Sequence, residues 1–381
     1  MSANSNIVRV GIAGLGRSGW HIHADALAAM PGSYKVVAVV DPSVERSREA
    51  VERFGCRSYE SYEQFVSDPS IDMIIVATPS HLHVDHVLAA LHAGKHVVCE
   101  KPMAGSLKEA DRLIRAVEAQ DKQVAIFHNR RFEPHYQKVS QVISSGQLGR
   151  IVQARMMQHQ FTRRWDWQTL REFNGGLINN IGSHLLDLLL QLFPMDRPRC
   201  FAHADAALTL GDTEDHCVLL FQQQGSPLLH VEITNVSAFD QDLWMIMGTK
   251  GTLRGNANEI NWHVADPSSL PERHLERELK SNTRAYVRDD IRWIKHQWKA
   301  DPGSDLRYYP YEQFYLRMHA AVFHGGPSPV PPRSVRPLIA ALEQAREQAE
   351  AGQLPLTLQA RTTPDAKPAP KSTKPSLTPI R

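Results

Sequence analysis

Three groups of residues in this chain could do chemistry. Lys101 lies within the run HVVCEKPMA, residues 96–104, where apolar residues pass directly into a glutamate, a lysine and a φ-locking proline. An ammonium at the end of a buried strand can stabilise negative charge developing on an oxygen. The plain alternative is a lysine that lays its stem along the sheet rim, with Glu100 only pairing with it. Gly14, Gly16 and Gly19, with Arg17 and Ser18 between them, make a Gly-x-Gly-x-x-Gly loop. In such a loop the glycines allow a tight turn, the approach of a diphosphate, and close packing of helix on strand. Asn180, His184 and Asp187 recur at helical spacing, so they should project from one face. A neutral imidazole at His184 can take a proton near pH 7, although a lone helical histidine also serves packing or capping.

These groups need elements to hold them. IVRVGIAG, KVVAVVD, DMIIVATP, HVVCEKP and QVAIFHN are nearly continuous apolar runs, as expected for strands covered on both faces. Helical patterns separate them: HVDHVLAALHAGK with Gly94 as its stop, and SLKEADRLIRAVEAQ opened by a Ser106/Glu109 capping box. Strand and helix in alternation mean an α/β doubly wound parallel sheet, the Rossmann arrangement, over residues 1–128. Ligands of such sheets bind beyond the carboxyl ends of the strands, where Thr78, Pro79, Ser80, Glu100 and Lys101 share a rim with the glycine loop. The glycines follow a strand and open a helix, the context that points to a dinucleotide. Asp41 ends the second strand at about the 20-residue spacing at which a carboxylate accepts the ribose hydroxyls of NAD. The cofactor expected is therefore NAD. Arg46 leaves NADP open, and Asp41 before Pro42 is also a plain turn starter.

Beyond residue 128 the pattern changes. EPHYQKVSQVISSGQLG reads as a helix with a glycine stop; IVQARMMQHQF, RCFAHADAALTL, DHCVLLFQQQ and PLLHVEITNV alternate as strands; GTKGTLRG reads as a tight turn between strands. Residues 129–355 are thus expected to form an α+β domain with an open, mostly antiparallel sheet, closed by an amphipathic helix at about 333–351. Residues 361–381, rich in Pro, Lys, Ser and Thr, are expected to be disordered.

Composition narrows the function classes. The 381 residues suit about two domains of roughly 150 residues each. Lys and Arg number 43 against 41 Asp and Glu, so no general field would recruit nucleic acid or an anionic membrane. The cysteines Cys56, Cys99, Cys200 and Cys217 are scattered, as in reduced cytosolic proteins. No apolar run reaches membrane-spanning length and MSANSNIVRVGIAG lacks the marks of a secretory signal, so the expected location is the cytoplasm. His21, His23, His81, His83 and His86 crowd the first domain without zinc spacing; no metal is expected, His83 is read as bordering the cofactor and the others as helix surface.

The glycine loop, ATPSHLHVDHVLAALHAGKHVVCEKPMA, HNRRF and GGLINNIGSHLLD, in that order, resemble the Gfo/Idh/MocA family of nicotinamide-dependent sugar and polyol dehydrogenases. The resemblance runs to about residue 350 and looks closest to the scyllo-inositol type of dehydrogenase. It implies hydride transfer from a secondary alcohol of a polyol or sugar substrate, with Lys101 stabilising alkoxide, His184 as base, and a cis peptide before Pro102. It also implies a homodimer or homotetramer formed through the open sheet face. The common family pattern has aspartate where this chain has Asn180; an amide can hydrogen-bond but cannot stabilise an imidazolium by charge. Asp187 either supplies that carboxylate, or lies on the helix surface, or makes an inter-domain salt bridge. In FTRRWDWQTLREFNGG, Arg163, Arg164, Arg171, Trp165 and Trp167 suit either a polyhydroxylated ligand or a subunit contact. Arg131 at the catalytic rim, with Arg164, Trp165, Asn180, His184 and Lys101, completes the expected substrate set. A non-catalytic sensor of NAD(P) or sugar on the same fold is the alternative.

Overall fold

The computed structural model describes residues 6–275, 277, 286–301, 303 and 305–352. The expected disordered tail, 361–381, lies outside the described residues. The N-terminal half builds six parallel strands: β1 (Val8–Ala13), β2 (Tyr34–Val40), β3 (Arg57–Tyr59), β4 (Met73–Val76), β5 (His96–Cys99) and β6 (Val124–Ile126). Their order across the sheet is β3-β2-β1-β4-β5-β6. The chain therefore winds outward from β1 one way and from β4 the other, which opens a crevice beyond the carboxyl ends of β1 and β4. Every residue of β4 is buried, which is why its sequence MIIV carries no polar alternation. The expected helix stops occur: Gly94 at φ 73° follows the helix His83–His92. The Ser106 side chain caps the helix Leu107–Glu118 by accepting from the Glu109 N–H, while Glu109 Oε2 reaches back to accept from the N–H of Gly105.

The second half forms an eight-stranded sheet from β7 (Ile151–His159), β8 (Arg199–Asp205), β9 (His216–Gln222), β10 (Leu228–Thr234), β11 (Trp244–Gly248), β12 (Gly251–Gly255), β13 (Glu259–Ala265) and β14 (Trp293–Lys299). Its order is β14-β13-β12-β11-β7-β10-β9-β8, antiparallel throughout except where β7 meets β10. Thr249 and Lys250 make the tight turn between β11 and β12. One face alternates inward, with Met156, Leu219, Phe221, Val231 and Trp244 buried beside Leu185, Leu186 and Leu189 of the helix Ser183–Leu192. The other face is open and carries Phe201 and Val152, both exposed.

Two late helices tie the lobes together. In Tyr309–His324, buried Tyr315 accepts through its backbone carbonyl a hydrogen bond of 2.7 Å from the Tyr34 hydroxyl at the start of β2. Pro332–Gly352 pairs Arg336 with Asp111 of the helix Leu107–Glu118 and also packs on β8.

Candidate active site

The glycine loop is shaped by contact. Gly14 has φ 88°, and a Cβ there would lie 2.5 Å from the Ala77 carbonyl oxygen. A Cβ on Gly19 would lie 1.9 Å from the Gly14 carbonyl oxygen, so helix and strand approach only because it is absent. At Gly16 a Cβ would meet nothing within 4 Å, which leaves the open space that a diphosphate approaching the backbone requires. Arg17 and Ser18 lie on the same loop. Asp41 accepts from the Leu15 N–H (2.6 Å) and the Ser43 N–H (2.8 Å), with Arg46 Nη1 3.8 Å away. Its carboxylate thus braces the loop, a task the ribose reading did not include. These residues fit a bound dinucleotide.

On the neighbouring rim the Lys101–Pro102 peptide is cis. Glu100 is buried and does not bind the lysine ammonium; its Oε2 accepts from the Lys101 backbone N–H at 3.0 Å, and its Oε1 lies 3.2 Å from His23 Nε2. His23 Nδ1 in turn sits 2.6 Å from the Tyr315 hydroxyl. Burial alone would raise the Glu100 pKa, but the hydrogen bond and charge of His23, the Lys101 ammonium and the Lys101 N–H together bring it down to about 2. The Lys101 ammonium points across the cleft, donating to both the backbone and side-chain oxygens of Asn180 at 2.9 Å. Desolvation, opposed by Glu100 and assisted by Arg130, Arg17 and Arg164, lowers its pKa to about 8.

Asn180 lies on a π-helical turn, Ile178–Gly182, which runs into Ser183–Leu192. Such wide turns in helices recur at functional sites. His184 follows on the same helix, half-buried, with its Nδ1 buried and without a hydrogen-bond partner among the described residues. Desolvation first, then Arg130, Lys101 and His128, holds its pKa well below the ordinary histidine value, so the ring is neutral and its protonated form is disfavoured in the free protein.

The carboxylate of Asp187 is taken up inside the fold. Asp187 is buried and gripped by Arg131, with Nε to Oδ2 at 2.7 Å and Nη2 to Oδ1 at 2.6 Å. His128 Nδ1 lies 3.5 Å from the same carboxylate. Arg131, read as a substrate residue, is thereby committed to Asp187 and to Ser334. Asp187 is the inter-element salt bridge and not a partner of His184. His83 is likewise sealed beneath the rim, 1 % exposed, and ties the Pro102 carbonyl (2.8 Å) to that of Thr78 (2.9 Å), so it shapes the rim from below instead of bordering the cofactor. Pro79 and Ser80 begin the short turn that follows Thr78. In the arginine and tryptophan loop Trp165 is 75 % exposed, whereas Trp167 meets Phe173, which meets His81. Arg164 is held by Asp166 and by Gln168 Oε1, which also accepts from Asn180 Nδ2. Gln168, Arg130 and His128 are the neighbours that sequence reasoning missed, the last two inside the quoted HNRRF; His23, expected on a helix surface, is fully buried against Glu100 and Tyr315. Among the described residues no group of three or more His, Cys, Asp or Glu is placed to hold a metal ion.

The family description "Oxidoreductase family, NAD-binding Rossmann fold" matches residues 8–128, and "GFO/IDH/MocA C-terminal domain" matches 136–254. An NAD-binding Rossmann domain followed by this second domain defines an NAD(P)-dependent oxidoreductase. The chain belongs to the Gfo/Idh/MocA family. It is 25% identical over 314 residues to the uncharacterized oxidoreductase C115.03 of Schizosaccharomyces pombe, covering 80% of this chain and 83% of that protein. It is 32% identical over 198 residues to scyllo-inositol 2-dehydrogenase (NADP(+)) IolW of Bacillus subtilis, covering 50% of this chain and 53% of that one. The solved structure of YvaA from Bacillus subtilis superposes with a TM-score of 0.75 at 22% identity, over 91% of this chain and 97% of that one.

Proposed function

We propose that this protein is a dehydrogenase oxidising a secondary alcohol of a cyclic polyol or sugar, with Lys101, His184 and Asn180 as its catalytic residues. The observation that carries the reading is the Lys101 ammonium from the N-terminal sheet, bonded to Asn180 one turn before His184 in the other lobe. NAD, when bound, supplies the hydride acceptor. An ammonium has three N–H donors; two hold Asn180, and the third is directed at the alcohol oxygen, where it stabilises the charge left as the O–H proton departs. Neutral His184 takes that proton. Gly14, Gly16, Arg17, Ser18, Gly19, Asp41, Thr78, Pro79, Ser80 and Glu100 form the rim that would hold and orient the coenzyme. The negative Asp41 favours NAD; Arg46 beside it leaves NADP open. The name of the Bacillus relative, an inositol dehydrogenase using NADP, supports the substrate class and keeps both coenzymes in view.

The test is a panel of inositols, hexoses, uronates and nucleotide sugars offered with NAD or NADP while reduced coenzyme is followed optically. Turnover with a polyol or sugar is expected; tight coenzyme binding with none turned over would favour a sensor. On the best substrate, the rate at saturation should fall as pH rises through about 8, because the working form has Lys101 protonated and His184 neutral. A rate still climbing well above that pH would remove the ammonium from the chemistry. Gly19→Ala should weaken coenzyme binding about tenfold or more in a fluorescence titration, since overpacking of the loop costs about 1–3 kcal/mol. Undiminished affinity would move the coenzyme off this loop.

No helix among the described residues is long and apolar enough to cross a membrane. We place the protein in the cytoplasm as a homodimer or homotetramer, assembled through the open sheet face that carries Phe201 and Val152. Light scattering giving a monomer would refute the assembly.

A further inference from the structure

The amide of Asn180 has two unlike ends, and its neighbours decide which faces Lys101. Its Oδ1 accepts from Lys101 Nζ at 2.9 Å, while its Nδ2 donates to Gln168 Oε1 at 3.3 Å. The same Gln168 oxygen accepts from Arg164 Nη2 at 2.6 Å, and Arg164 is anchored on Asp166. Gln168 is held in place by its backbone: its carbonyl accepts from the Gly176 N–H at 2.9 Å, and the Gly176 carbonyl accepts from the Asn180 N–H at 2.9 Å. A Cβ on Gly175 would lie 2.3 Å from the Gln168 carbonyl oxygen, so this loop can lie against the π-helical turn only because that glycine is bare.

We propose that Gln168 is a positioning residue: its side-chain carbonyl, fixed by Arg164, takes the N–H end of the Asn180 amide and so turns the Asn180 oxygen toward the Lys101 ammonium. An aspartate at 180 would offer an oxygen at either end and need no such partner. Asparagine does need one, because a flipped amide would aim two N–H groups at a cation. The pair Gln168 and Asn180 thus replaces the carboxylate common in the family, without its negative charge. The importance of this pair for turnover rests on the role given to Lys101 above; the hydrogen-bond chain itself does not.

The charged and titratable groups around Lys101 are Glu100, Arg17, Arg130 and Arg164, with His83, His128 and His184 close enough to feel its charge. All remain in the variants below. Trace labelling of the full-length protein with acetic anhydride across pH, with acetylation at Lys101 read by mass spectrometry, gives the titration midpoint of this amine without any substrate. Gln168→Leu should lower that midpoint by about one pH unit, because the oxygen holding the ammonium form is no longer fixed. Gln168→Glu keeps the acceptor and should not lower it, which separates loss of the acceptor from damage to the loop. Asn180→Asp should raise the midpoint, and adding Gln168→Leu to it should then change nothing. An unmoved midpoint in Gln168→Leu, or an equal drop in the Asn180→Asp background, would overturn the proposal. A shifted midpoint in a protein that turns over no substrate would leave the positioning intact and refute the dehydrogenase; turnover with an unmoved midpoint would do the reverse.

Discussion

Replacing Lys101 with alanine should lower the rate at saturating substrate by about 10²–10³-fold, the loss seen when one donor to a developing oxyanion is removed. The ammonium makes no bond that holds the glycine loop, so coenzyme affinity should change far less than the rate. That division is the diagnostic, because a group acting only in the transition state lowers the rate and leaves ground-state binding alone. Steady-state kinetics on the substrate found in the panel, beside a coenzyme titration, measures both. A variant with wild-type turnover would make Lys101 a rim lysine and leave His184 without its partner.

Asp187→Ala should cost about 3–5 kcal/mol of stability, the usual consequence of removing one member of a buried ion pair. The Asp187 side chain is 2 % exposed and takes two hydrogen bonds from Arg131, whose side chain is only 11 % exposed. Its removal leaves the guanidinium with its bonds to Ser334 and no opposite charge in contact. Urea unfolding, followed by circular dichroism, should show the midpoint falling sharply. The double variant Asp187→Leu with Arg131→Met should recover much of the loss, because no unpaired charge remains. A loss within about 1 kcal/mol, the value of an exposed pair, would mean that water reaches the bridge and that Arg131 is free to face a ligand after all.

What was legible in the sequence is what local spacing dictates. The turn at Gly14, the cap at Ser106, the stop at Gly94 and the buried β4 each follow from a few adjacent residues and one backbone rule. So does the placing of Lys101 at a strand end. The misreadings share a different cause, since each depends on a partner distant in the chain. Arg131 and Asp187 were both picked out as chemically capable, yet they stand 56 positions apart and satisfy each other. His23 meets Tyr315 across 292 positions, and no periodicity announces that pair. β14, with the sequence WIKHQWK, has no buried residue, so its alternation is hard to see and only its ladder with β13 makes it a strand.

The two hydrogen bonds from Lys101 to Asn180 couple the motion of the lobes to the acid–base state of one amine. Any swing that parts the lobes draws the nitrogen off the Asn180 oxygens and into bulk water, where its proton affinity returns toward that of an ordinary lysine. Between pH about 8 and 10.5 an opening event therefore takes up a proton and reclosure expels it. Any separation of the two lobes is thus linked to the uptake of a proton at this amine.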